Sequence, residues 1–259
     1  MPLWSDLDIN RWDYKEPRKL PNGSYNSFID DAPNSRRTPE AQLDECIAKF
    51  GVSAPPEQNP NSNRRNMDIS VTSKSMAGFW QNVDDRNCEA AATHSTTSFN
   101  KTYSAEMVKE ALYTSCLKPH EKYDPLLRTK IVLSGKKKTK IYVVQGKDPE
   151  SGEDLYIEGN VDDITPYSRV VPIVEFSSLW YASRNCGMTV LVKKLMVWPD
   201  GSGVDDTEFE GLHVRKKARI SGPGSTPSVS VSVEEIPGQS AAAAAVSMSV
   251  TGGDDDDVM

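Results

Sequence analysis

Residues 170–199, VVPIVEFSSLWYASRNCGMTVLVKKLMVWP, constrain the fold more than any other stretch of the chain. Residues 170–181 are rich in β-branched and aromatic side chains, and residues 188–198 alternate with period two until Pro199 ends the run. Between them, residues 182–187 read as a small polar turn, with Gly187 where a positive φ is easiest. The stretch is therefore a long two-stranded hairpin. Val190 and Val192 can face a core, and Leu195 and Val197 can do so after a one-residue slip at Lys193 and Lys194, which is what a β-bulge produces. Trp180 is expected to be at least partly buried. Tyr181 then points to the opposite face and is the better exposed candidate.

Around the hairpin the elements are short. Residues 67–71 read as a strand, and residues 75–88 place Phe79, Trp80 and Val83 at helix-like spacing. Residues 104–117 are the clearest helix, capped by Ser104. Residues 126–133 and 140–144 read as two β-segments of a hairpin whose tip carries Lys136, Lys137 and Lys138, and residues 155–157 as a further short strand. Several short strands with one or two helices make the fold mainly β, a small barrel or sandwich.

Composition divides the chain. The hydrophobic fraction is 37%, low for a wholly globular chain, and the deficit lies at the two ends. The expected organisation is a flexible N-terminal arm over 1–65, a folded domain over 66–200, and a disordered linker with an acidic tail over 201–259. Within the first arm, Thr38, Pro39 and Glu40 start a short helix over 39–50 that Gly51 stops, with Leu43, Ile47 and Phe50 at helical spacing. It is either a transient helix or a docking element. Residues 54–65 are a linker by composition.

Motifs of catalysis are missing. No phosphate loop, HExxH, GxSxG or paired-cysteine pattern occurs, and no cofactor is called for. Three scattered histidines and four unpaired cysteines do not make a zinc site. Asp84 with Asp85, and Asp162 with Asp163, are neighbours whose side chains diverge, so solvated surface charge is expected. No run approaches the about 18 apolar residues of a membrane span, and Asn22 and Asn100 match glycosylation sequons with no signal peptide before them. A soluble, intracellular protein is expected.

The net charge of −7 argues against a nucleic-acid binder until its distribution is considered. The acidic runs lie outside residues 66–200, whereas Lys136, Lys137, Lys138 and Lys140, with Arg128 and Lys130 before them, lie inside. Those cations suit a phosphate backbone, although a solvated basic turn has the same composition. Lys193 and Lys194 are out of place in an apolar strand unless one faces a groove or the edge is exposed. Tyr142, Tyr181 and Trp198 are the rings on which bases would stack. Asp254, Asp255, Asp256 and Asp257 would compete with phosphate for the basic surface and recruit partners, or simply solubilise the chain. Arg215, Lys216, Lys217 and Arg219 are a nuclear address, extra phosphate contacts or linker charge.

From Asn66 to about Pro199 the chain resembles the podovirus-type single-stranded DNA-binding proteins of large nucleocytoplasmic DNA viruses, those of algae and their relatives among them. The resemblance is carried by residues 67–71, by Asn82, Val83 and Asp84, by the helix start at 104–108, by residues 123–128, and by 172–174 through Trp180, Tyr181 and Gly187 to the closing strand 190–197. It implies an OB-fold-like five-stranded barrel with an inserted helix. It also implies single-stranded DNA binding in viral replication, recombination or repair, at a nuclear or cytoplasmic replication site. The acidic tail would then contact replication proteins such as a polymerase or helicase. A homodimer is left open. The rival expectations are an interaction or virion-associated scaffold without nucleic-acid affinity, and a protein that regulates duplex DNA or RNA.

Overall fold

The computed structural model of the chain describes residues 1–55, 60–120, 123–147 and 154–199. In chain order its strands are β1 (Asp13–Tyr14), β2 (Arg18–Lys19), β3 (Tyr25–Asp30), β4 (Glu40–Gln42), β5 (Cys46–Val52) and β6 (Arg64–Ser70). The helices α1 (Lys74–Thr93), α2 (Ser95–Phe99) and α3 (Ala105–Ala111) follow. Then come β7 (Tyr113–Thr114), β8 (Leu117–Lys118), β9 (Leu126–Val132), β10 (Lys140–Lys147), β11 (Asp154–Gly159), β12 (Ser168–Tyr181) and β13 (Cys186–Trp198).

The hairpin expected from residues 170–199 is the axis of the fold. β12 and β13 pair antiparallel from Arg169 opposite Trp198 to Tyr181 opposite Cys186. Each long strand gives one edge to the other and shares its free edge among three short strands. β12 takes β5, β4 and β3 in turn. β13 takes β7, β9 and β10, all parallel. β5 pairs with β6, and β6 with β9, which closes the ring β12–β5–β6–β9–β13. This five-stranded closed ring, with strands three and five parallel, is an OB-fold-like barrel. The fold is mainly β, as expected.

Two bulges set which side chains reach the core. Ile173 opposes Lys194 while Val174 opposes Val192, so Lys193 is the extra residue on β13. Met188, Val190 and Val192 face inward before it, and Leu195 and Val197 after it, as the alternation anticipated. The second bulge was not anticipated. Phe176 opposes Val190 and Ser178 opposes Thr189, leaving Ser177 extra on β12. A one-residue slip exchanges the two faces of everything beyond it. Tyr181 therefore turns into the core, with no exposed surface, against Phe99 at 5.7 Å, and Trp180 remains half-buried outside. Gly187 lies in β13 rather than in the turn. A Cβ there would stand 2.8 Å from Trp180 Cζ2 and 2.9 Å from the Thr114 carbonyl oxygen, so glycine is required by close approach.

The N-terminal residues are part of this core. The expected helix over 39–50 does not form; its residues lie in β4 and β5. Cys46 and Ala48 are buried with the partly exposed Ile47 and Lys49 alternating between them, so the period is two and not 3.6, and Phe50 is exposed where the bulge before Val52 breaks the alternation. Pairing with β6 and β12 outweighs a helical spacing that would have buried Phe50. Gly51 takes φ +63° where β5 bulges against β6, and a Cβ there would stand 2.7 Å from the Ile164 carbonyl oxygen. Trp12 packs on Phe176 at 4.8 Å, and Trp80 of α1 packs on the same ring at 5.3 Å. The expected flexible arm over 1–65 and the boundary at residue 66 are thereby corrected. The expected linker and tail over 201–259 lie outside the described residues.

The connection between β9 and β10 is also corrected. These strands do not pair as a hairpin. β12 occupies one edge of β13 throughout, so β9 and β10 share the other edge in succession and run in the same direction. Residues 133–139 are an excursion between them. Thr139 closes its base, donating its amide to Val132 O at 2.9 Å and its hydroxyl to Val192 O at 2.6 Å.

The two helices expected at 75–88 and 104–117 are α1, longer than expected, and α3, shorter. Ser73 caps the first by accepting from the Met76 amide, and Ser104 the second by accepting from the Met107 amide. Asp84 on α1 is not solvated charge. It accepts from the Tyr113 hydroxyl at 2.7 Å and from Ser115 Oγ, and burial raises its carboxyl above the usual range. Tyr113 in turn accepts from Asn87 Nδ2, and Asn87 Oδ1 accepts from the Tyr14 hydroxyl, each at 2.8 Å. This network ties α1 both to the N-terminal strands and to the segment after α3. All four cysteines are buried, and burial pushes each thiol up to about 12. A nucleophilic role for Cys186 is not supported.

Candidate nucleic-acid interface

The ladder registers define one continuous outer face across β4, β12, β13, β10 and β11. In the row nearest the excursion, Gln42, Ile173, Lys194 and Lys140 are successive cross-strand neighbours. The next row is Val171, Met196, Tyr142 and Glu158. The third begins with Arg169 opposite Trp198 and ends with Val144 opposite Tyr156. Their inward neighbours Ile141, Val143, Leu195 and Val197 are buried, so alternation forces this set outward. A groove of about 470 Å³ runs over the face, with Tyr142, Tyr156, Lys194, Met196 and Trp198 in its lining.

The rings are held but not covered. Tyr142 and Tyr156 meet edge to face at 5.5 Å and 79°, and Tyr156 is 56% exposed. The Arg169 guanidinium lies 5.5 Å from the Trp198 ring centroid, with Glu45 3.6 Å from Arg169 Nη1. Lys140 and Lys194 are paired across the ladder, both exposed, and neither has a carboxylate partner among the described residues. Two like charges side by side are unfavourable until an anion lies between them.

The remaining expected cations are distributed elsewhere. Lys137 reaches buried Glu175 at 2.7 Å and pins the excursion against the outside of β12. Lys193, the bulge residue, pairs with Glu40, which opposes Glu175 across the β4–β12 ladder. These four charges alternate and cancel. Arg128 makes two 2.9 Å bonds to Asp68 on the β6–β9 wall. Lys130 is half-buried on the same wall, and its amine is pushed down by burial first and by Arg64 next. Lys136 and Lys138 are exposed on the excursion. Tyr181 is removed from the stacking set by its burial. Asp254, Asp255, Asp256 and Asp257 lie outside the described residues.

Lys137 is thus a structural cation. Lys137→Ala leaves the Glu175 carboxylate without its partner, and a thermal melt should show a loss of about 1–3 kcal/mol. Lys138→Ala, one residue along, should melt like the parent chain.

Tyr156 and Arg169 were not picked out from the sequence. Arg169 was within reach, since extending the hairpin register by one pair places it opposite Trp198. Tyr156 was not, because its face depends on how β11 pairs with β10, including a bulge between Val144 and Gly146.

Among the described residues no group of three or more His, Cys, Asp or Glu is placed to hold a metal ion, and no helix is long and apolar enough to cross a membrane. No family model matches the sequence, and no curated protein matches it. Among solved structures, the chain is similar to gp2.5, a single-stranded DNA-binding protein encoded by bacteriophage T7, with a TM-score of 0.40 and 13% identity, over 69% of this chain and 100% of that one. It is also similar to the single-stranded DNA-binding protein from bacteriophage Enc34 in complex with ssDNA, with a TM-score of 0.35 and 7% identity, over 71% of this chain and 94% of that one.

Proposed function

We propose that the chain binds single-stranded DNA with little sequence preference and serves viral DNA replication, recombination or repair. The observation that carries this reading is the outer sheet face on which Tyr142, Tyr156 and Trp198 stand beside Lys140 and Lys194, which have no carboxylate partner among the described residues. Every base has a π-face, so such rings accept any sequence, and each stacked base contributes about 1–3 kcal/mol. Lysines without carboxylate partners supply the phosphate contacts and make binding salt-dependent. The choice of DNA, and of a viral setting, rests on the sequence resemblance of residues 66–199.

In this reading Asp254, Asp255, Asp256 and Asp257 compete with phosphate and recruit replication proteins such as a polymerase or helicase. The test is fluorescence anisotropy of a labelled oligothymidylate across a salt series, with the full chain and with a chain ending at residue 249. Four lysines, Lys136, Lys138, Lys140 and Lys194, should give a slope of log K against log salt near −3. The shortened chain should bind more tightly, most of all at low salt. Equal affinity of the two chains removes competition by the tail and leaves the groove. No binding by either chain removes the reading.

One observation favours a second reading. Among the described residues β11 pairs only with β10, and it exposes Leu155 and Ile157, which suits a scaffold assembled through that edge. Self-association abolished by Ile157→Lys, in a chain with no affinity for oligonucleotides, would establish it.

A further inference from the structure

The groove is not the whole of the aromatic surface. Arg169 stands at its border, opposite Trp198 on one side and opposite Ile47 of β5 on the other. Two residues before it, Tyr167 is 54% exposed, with its amide bonded to Ala48 O at 2.8 Å. Across from Tyr167 on β5, the Lys49 ammonium lies 5.6 Å from the Tyr167 ring centroid and 5.2 Å from that of Tyr123. Tyr123 is 61% exposed, and the His120 ring lies 4.8 Å from it. A lysine thus sits between two exposed tyrosine rings, and Arg169 joins this cluster to the groove.

Tyr167 stands at the third position of a tight turn. Its φ is +65°, in the left-handed region that bulky side chains rarely occupy. The turn that leads into β12 sets it: Ser168 donates its amide to Thr165 O at 3.1 Å, with Pro166 at the second position of the turn and Tyr167 at the third, where a positive φ is called for. Glycine or asparagine is the usual residue at that position, and this chain instead places an exposed ring there beside a cation.

We infer that the bound single strand continues from the groove, past Arg169, onto a second stacking platform formed by Tyr167, Lys49 and Tyr123. The inference rests on the reading of the groove given above and extends it to one continuous path around the barrel. From β11 to β5 the path crosses four strand-to-strand steps, about 20 Å. The bases would stack on Tyr167 and Tyr123, and Lys49 would meet a phosphate between them.

The test compares a labelled oligothymidylate of about six nucleotides, enough for one platform, with one of about twenty, enough for both. Both are titrated with the full chain and with Tyr167→Gly, Tyr123→Ala and Trp198→Ala. Tyr167→Gly removes the ring while relieving the positive φ, so its melting temperature should equal or exceed that of the parent. The parent should bind the long oligonucleotide more tightly than the short one by well over tenfold. Tyr167→Gly and Tyr123→Ala should each shrink that ratio about tenfold, whereas Trp198→Ala should weaken both lengths together. A ratio unchanged in both tyrosine variants, with Trp198→Ala still weakened, overturns the second platform and leaves the groove. A parent chain that binds neither length overturns both.

Discussion

Replacing Trp198 and Tyr142 together by alanine is expected to weaken binding of an oligothymidylate by about a hundredfold or more while the chain remains folded. Each ring contributes about 1–3 kcal/mol of stacking per base, and every 1.4 kcal/mol is a factor of ten. Both side chains stand on the outer face of the sheet, half-buried at most, so neither removal opens a cavity in the core. Anisotropy titration gives the affinity, and a thermal melt gives the control. Loss of Trp198 releases Arg169, which keeps Glu45 as a partner. Tyr181→Phe is the matched comparison. Its ring is fully buried, so the substitution should leave oligonucleotide affinity within twofold. Equal effects of the outer and the buried substitutions would place the binding surface elsewhere.

A fragment beginning at residue 66 is expected not to fold, whereas residues 1–199 are expected to melt cooperatively. The ring closes only through β5, which joins β6 to β12. Without β5 both of those strands acquire a bare edge, and the barrel becomes an open sheet. The core loses Trp12, Ile29, Ala41, Leu43, Cys46 and Ala48 at the same time. Large buried side chains are worth about 2–5 kcal/mol each, and a whole domain has only about 5–15 kcal/mol of stability. Far-ultraviolet circular dichroism against temperature distinguishes the outcomes. A cooperative melt of the fragment would mean that the N-terminal strands only decorate the barrel.

The contrast between the two bulges shows what local sequence can reveal. At Lys193 and Lys194 two charges interrupt an apolar alternation, so the period itself exposes the slip. At Ser177 and Ser178 two small polar residues tolerate either face, and the slip that turns Tyr181 inward leaves no mark in the pattern. The N-terminal error has a related origin. Leu43, Ile47 and Phe50 satisfy a helical period, while the strand is supported by the weakly hydrophobic Cys46 and Ala48, whose burial is decided by pairing with distant β6 and β12. The β9–β10 error arose because neighbours in sequence were assumed to pair, when β13 offers both strands the same edge. For the groove, Tyr142, Lys194 and Trp198 were readable because each belongs to a strand whose alternation is clear. Lys137, Lys193 and Arg128 looked equivalent to them as charges. Their carboxylate partners Glu175, Glu40 and Asp68 are 38, 153 and 60 residues away and cannot be assigned by spacing.

The central claim is that the outer face of β12, β13, β10 and β11 stacks unpaired bases. A duplex keeps its base faces stacked on one another and offers the rings nothing, although its phosphates attract the same lysines. The most direct measurement is therefore competition. Residues 1–199 are saturated with a labelled oligothymidylate, then unlabelled single strand and unlabelled duplex are added in parallel at moderate salt. The account predicts displacement by the single strand at concentrations at least tenfold below those at which duplex has any effect. Equal displacement by both would mean that charge alone does the binding and that Tyr142, Tyr156 and Trp198 do not hold bases.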